Sequence, residues 1–219
     1  MKATRRNLLL SSGAIFATGA SAWWLGSGRP LEMITPAKAQ SASGVMEAGP
    51  LPDVFLGKDD APVTIIEYAS MTCPHCANFH ESILPSIKEK FIETGKVKMI
   101  FREFPLDPRA YAASMLARCA EEDFFFPMID VLFKQQSVWA RAEDPRPPLL
   151  QIAKLAGFTQ ESFEVCLKNQ ELLDNVNSTR KKAAEVYGVN STPSFFINGE
   201  KYSGAISVEG LSEAIENLL

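Results

Sequence analysis

Cys73-Pro74-His75-Cys76 sets two thiols two residues apart, a spacing at which they can cycle between dithiol and disulfide. What such a pair does depends on where it sits. Val63-Thr64-Ile65-Ile66-Glu67-Tyr68 is a β-branched run of strand length. A helical pattern follows from about Pro74 to Ile92, with Pro85 predicting a kink inside it. Cys73 therefore falls at a helix N-terminus, where unpaired N–H groups and the positive end of the dipole favour thiolate over thiol. A protonated His75 adds positive charge beside it. Both effects lower the Cys73 pKa, make it the attacking and leaving sulfur, and stabilise the reduced pair. Cys76, one turn deeper, is the resolving thiol. Two other readings compete: an inert disulfide, and a metal carrier using Cys73, Cys76 and His80, which lacks a second cysteine pair. Haem attachment is excluded, because Ala77 rather than histidine follows Cys76.

Glu67 is an acid inside an apolar strand, which is costly unless it moves a proton or finds a partner. It could accept the Cys76 proton as that thiol attacks; the alternative is an outward-facing side chain on a half-exposed strand. Thr192-Pro193 precedes a second strand. On the residues alone a trans bond is expected there, since most X-Pro bonds are trans. Phe124-Phe125-Phe126 reads as core rather than as a binding patch.

These residues need elements to hold them. The chain has 219 residues, 46% hydrophobic and 22% charged, an ordinary globular composition. Lys2, Arg5 and Arg6 precede a charge-free apolar run from Leu8 to Leu25, and Ala37-Lys38-Ala39 offers small residues for cleavage. Residues 1–39 thus read as an export signal, with Thr4-Arg5-Arg6-Asn7-Leu8-Leu9-Leu10 resembling the twin-arginine type; an uncleaved anchor is the alternative. Cutting there removes five basic residues and one acid, taking the net charge from −4 to −8. With no basic run, nothing points to nucleic acid. All four cysteines remain, an even count that points to disulfides in an exported chain.

Residues 40–62, with Gly49-Pro50-Leu51-Pro52, read as a leader segment. The strand, the helix and a second strand at Lys96–Phe101 form a β-α-β unit. Residues 109–187 turn to helical periodicity, broken near Pro145–Pro148 and Gly157. Ser194-Phe195-Phe196-Ile197 and Lys201-Tyr202-Ser203 flank Asn198-Gly199, a strong hairpin signal, and Ser207 caps a last helix. The plan is an α/β half at 63–108, a helical insertion at 109–187, and a β-β-α half at 188–219.

This order, with Cys-Pro-His-Cys after the first strand and Gly188-Val189-Asn190-Ser191-Thr192-Pro193-Ser194-Phe195-Phe196-Ile197-Asn198-Gly199 near the end, resembles the DsbA-type thiol:disulfide oxidoreductases of the bacterial envelope. The resemblance covers about residues 53–219. It implies a thioredoxin fold with an inserted helical domain, a redox-active Cys73–Cys76 pair with Pro74 and His75 between its cysteines, and a cis-proline at Pro193 against it. It also implies a buried acid at Glu67, and substrate held at Thr192 and Pro193. Cys119 and Cys166 lie on apolar faces of predicted helices; some relatives have a structural disulfide in this region, and two buried free thiols are the alternative. The implied activity is disulfide donation to exported proteins by a periplasmic monomer without metal or organic cofactor. A DsbB-type membrane quinone reductase would reoxidise it. Thr192 stands where a strong oxidase carries valine, and threonine there also occurs in isomerase-type relatives. A reductase or isomerase using the same residues is therefore the competing direction.

Overall fold

The computed structural model describes residues 44–219; the predicted export signal and residues 40–43 lie outside the described residues. The strands are β1 (Val54–Leu56), β2 (Val63–Ala69), β3 (Val97–Glu103), β4 (Ser194–Ile197) and β5 (Glu200–Lys201). They form one sheet in the order β1-β3-β2-β4-β5. β2 and β3 are parallel, joined by a helical run over 74–92 (α1), and the other pairs are antiparallel. Between β3 and β4 the chain forms α2 (Pro108–Cys119), α3 (Phe125–Lys134), α4 (Gln136–Trp139), α5 (Arg146–Leu155), α6 (Gln160–Leu167) and α7 (Gln170–Glu185). α8 (Val208–Glu216) follows β5, and Ser207 caps it by accepting from Gly210 N–H. Asn198 and Gly199 both take positive φ, 47° and 89°, as a two-residue hairpin of this twist requires.

β2 is the central strand and every residue of it is buried. Strand alternation decides what each side chain meets. Val63 and Ile65 join Phe79, Ile83, Ile87, Phe195, Leu211 and Ile215 in a core shared with α1 and α8. Ile66 and Tyr68 turn to the other face, against Ala183, Tyr187 and Phe196. Glu67 continues the row of Val63 and Ile65, so it points at α1 and is fully buried. A third core lies in the insertion, where Phe125 and Phe126 are buried with Leu132, Trp139 and Phe163, while Phe124 is exposed.

The kink expected at Pro85 takes a particular form. Proline has no N–H to give and its ring crowds the preceding turn. The chain responds one turn earlier by widening over Phe79–Ile83, where Leu84 N–H reaches back five residues to the Phe79 carbonyl. A second widened turn follows at Lys88–Ile92. His80 lies in the first of these turns.

The segment read as a leader is corrected over its described part. Val45 is fully buried, and β1 pairs with β3 through Val54, Phe55 and Leu56. The cause is arginine. The buried Arg102 guanidinium gives two 2.8 Å hydrogen bonds to Asp53 and others to the carbonyls of Val45 and Glu47 and to the Tyr68 hydroxyl. Arg118 binds Glu103 with two nitrogens and donates to the Pro52 carbonyl. Buried guanidinium donors must be satisfied, and this proline-bearing strap satisfies them.

Candidate active site

Cys73 is the residue that caps α1, with extended backbone (φ −81°, ψ 119°), and Pro74 opens the helix. Both cysteines are buried free thiols, Cys73 at 6% exposure and Cys76 at 0%. Cys73 Sγ lies 3.3 Å from the Thr192 carbonyl oxygen. The Thr192–Pro193 bond is cis, and Pro193 is buried while Thr192 is half-buried. Two segments 119 residues apart in the chain thus meet at one sulfur.

The two thiols are driven apart electrostatically. The Cys76 thiol donates to the Cys73 sulfur, which lowers the Cys73 pKa to about 5. Burial opposes this, and Thr192 and the backbone N–H groups of Cys76 and His75 add to it. Cys76 moves the other way, well above the ordinary thiol range, because burial, the Cys73 partner and the Glu67 charge all disfavour its thiolate. His75 contributes its backbone N–H to the lowering of Cys73, and its ring is exposed beside the pair.

Below Cys76, Glu67 Oε2 is 2.9 Å from His80 Nε2, both side chains essentially inaccessible to water. The outward-facing alternative for Glu67 is therefore corrected: α1 and the sheet close over it. Burial alone would push the His80 pKa down, but Glu67 and Asp130 together outweigh it, holding His80 at about 9. Asp130 Oδ1 is 3.9 Å from His80 Nδ1, beyond hydrogen-bond length. The metal-carrier grouping is not assembled. Among the described residues no three or more His, Cys, Asp or Glu side chains are arranged to hold a metal ion, and His80 is engaged by Glu67.

Two positioning residues escaped the sequence reading. Gln136 Nε2 donates to the carbonyls of Met71 (2.8 Å) and Cys73 (3.0 Å), so α4 holds the loop that carries the first thiol. The Thr72 hydroxyl donates to Asp107, whose other carboxylate oxygen caps α2. A lone glutamine 63 residues from its partner gives no local sequence signal; Asp107-Pro108 carries the local signal of a helix start, but none of its link to Thr72. Cys119 and Cys166, expected to be structural, are bonded to each other and tie the end of α2 to α6.

The thioredoxin family model matches residues 51–217. A Rickettsia bellii protein named "Putative protein-disulfide oxidoreductase" is 33% identical over 168 residues, 76% of this chain; the chain spans 64% of that relative's length, just under two thirds. "Probable disulfide bond formation protein D" of Bacillus anthracis is 30% identical over 151 residues, covering 66% of this chain and 69% of its own. The crystal structure of Wolbachia pipientis alpha-DsbA1 superposes with a TM-score of 0.73 at 33% identity, over 81% of this chain and 95% of that one. The chain belongs to the thioredoxin family and, within it, to the DsbA-type thiol:disulfide oxidoreductases.

Proposed function

We propose that this protein is an exported disulfide donor. The observation that carries the reading is the opposed behaviour of the two thiols: Cys73 is held as a thiolate at neutral pH and Cys76 as a thiol. A substrate thiolate attacks Cys73 Sγ of the Cys73–Cys76 disulfide, forming a mixed disulfide, and the electron pair of the broken bond goes to Cys76. The substrate's second thiolate then attacks its own sulfur in that mixed disulfide and expels Cys73. Cys73 is a good leaving group because its thiolate is stabilised, and a stabilised reduced form makes the disulfide a strong oxidant, as in DsbA itself. Thr192 and Pro193 hold the substrate chain through backbone groups, with the Thr192 carbonyl already beside the reacting sulfur.

Residues 1–39 direct export to the periplasm, where the protein works as a monomer on newly exported cysteine-containing chains. Among the described residues no helix is long and apolar enough to cross a membrane. Reoxidation falls to a separate membrane partner of the DsbB type. No metal or organic cofactor enters these steps.

The test has two readouts. Mixed with a reduced two-cysteine peptide, the oxidised protein transfers one disulfide per molecule; failure to transfer overturns the reading. In the reduced protein, thiolate absorbance at Cys73 titrates near pH 5. A folded pKa below the unfolded one stabilises the reduced fold fully above the unfolded thiol pKa, and that gain is lost as pH falls through about 5. At pH 7 it is on the order of 2 kcal/mol relative to pH 5, read as a rise in the denaturation midpoint of the reduced form. A Cys73 titration near the ordinary thiol value would contradict it.

A further inference from the structure

His80 is a buried titratable group that the exchange steps above do not use. It sits four residues after Cys76 on the inward face of α1, in the widened turn Phe79–Ile83, and both residues are buried over β2. Side chains four apart share a helix face. Glu67, on the strand beneath, carries one oxygen bound to His80 Nε2, while its other oxygen, Oε1, is buried with no partner. His80 Nδ1 is likewise buried and without a hydrogen-bond partner. It faces Asp130 of α3, whose side chain is 48% exposed. Asp130 and His80 both line a cavity of about 530 Å³ between α1 and α3, also bordered by Glu81, Lys88 and Lys134. One row of groups therefore leads from the Cys76 helix face to solvent: Glu67 Oε1, Glu67 Oε2, His80 Nε2, His80 Nδ1, Asp130.

We infer that His80 is a proton store and relay for Cys76, acting through Glu67 and exchanging with solvent at its Asp130 side. The inference rests on the reading of Cys73–Cys76 as a disulfide-exchange pair. Cys76 changes protonation in every cycle and is closed off from water, so its proton needs an internal route. When a substrate thiolate opens the Cys73–Cys76 bond, the electron pair passes to Cys76 Sγ. The imidazolium gives its Nε2 proton to Glu67, and Glu67 gives one to that sulfur. When Cys76 attacks a mixed disulfide at Cys73, its proton returns through Glu67 to Nε2. The Cys73–Cys76 bond forms, and the departing thiolate takes the electron pair of the broken bond. Water at Asp130 balances the imidazole through Nδ1.

The groups facing His80 suit this task. β2 contributes Glu67 and α3 contributes Asp130, both acidic and both favouring the imidazolium. β3 contributes Phe101, and α3 also contributes Phe133 at 4.5 Å between ring centroids. These rings keep water off the Glu67 side. Lys134, Lys88 and Glu81 line the cavity. His80 makes no contact with substrate, so it is a positioning residue whose effect must appear as a proton-transfer signature.

The experiment loads Cys73 with glutathione as a mixed disulfide and follows, in a single turnover, its displacement by Cys76. In the wild type the rate rises with pH through about 9, as neutral His80 becomes available to receive the proton. His80→Gln keeps a hydrogen-bonding side chain but cannot titrate. It should slow the step roughly 10- to 100-fold and remove that rise, while the Cys73 thiolate titration stays where it was. Asp130→Asn, half-exposed and safe for folding, should slow it in the same direction. His80→Ala opens the site to the cavity, and added imidazole should restore its rate. Wild-type rate and pH profile in His80→Gln overturn the relay; should that variant not fold, an unchanged Asp130→Asn with no imidazole rescue of His80→Ala does so. A wild type that never forms the Cys73–glutathione bond sinks the exchange reading itself. A working wild type with an indifferent His80→Gln removes only the relay.

Discussion

Cys73→Ser is expected to form no mixed disulfide with any substrate and to lose turnover by roughly 10³-fold or more, since residues acting as one chemical unit fail together. Cys76→Ser should be inactive to a similar degree for the opposite reason. It cannot close the Cys73–Cys76 bond, yet it keeps a reactive Cys73 and should accumulate mixed disulfides with oxidised substrates, visible by mass under non-reducing conditions. Cys76→Ala separates two roles of that residue. The Cys76 thiol is the leading cause of the low Cys73 pKa. A serine hydroxyl can still donate to the Cys73 sulfur and a methyl group cannot. Cys73 should therefore titrate near about 5 in Cys76→Ser and clearly higher in Cys76→Ala. Equal titration in the two variants would move the cause to the helix terminus alone.

The second large effect concerns stability. The Cys119–Cys166 bond closes a loop with a sequence separation of 47 residues and joins α2 to α6 within the insertion. In the chain-entropy model a loop of that length contributes about 4 kcal/mol by restricting the unfolded chain. Cys119→Ala with Cys166→Ala should lower the urea midpoint by that amount divided by the m-value. Both sulfurs are replaced by small apolar groups inside a buried cluster, so the fold itself should persist. Single-turnover exchange at Cys73 should be unchanged in the folded double variant. A loss under about 1 kcal/mol would mean that packing of Leu116, Phe163 and their neighbours already restrains these helices without the bond.

Much of the site could be read from the chain because its signals are local. Cys73-Pro74-His75-Cys76 states its own chemistry, Asn198-Gly199 states its turn, and Ser207 states its cap. Glu67 was legible as an anomaly, an acid in a strand of Val, Ile and Tyr, although which face it took was not. The parts that stayed hidden depend on partners far along the chain. The strap around Val45–Asp53 looked like a leader because its value lies in carbonyls and one carboxylate offered to Arg102, about 50 residues away. Gln136 has meaning only where α4 meets the Cys73 loop. His80 could be seen as a ligand-type residue but not assigned, because its partner Glu67 lies on a different element and the turn carrying it is widened ahead of Pro85. The backbone N–H of His75 that adds to the lowering of Cys73 could not be seen in the chain, because it depends on how the first turn of α1 is set.

The direction of electron flow is tested most directly by the reduction potential of Cys73–Cys76, measured by equilibration with glutathione with Cys119 and Cys166 intact. A stabilised Cys73 thiolate favours the reduced pair, so the potential should lie well above thioredoxin's, roughly −270 mV. A value close to thioredoxin's would contradict disulfide donation and make the same residues a reductase site, with Thr192 the first residue to substitute.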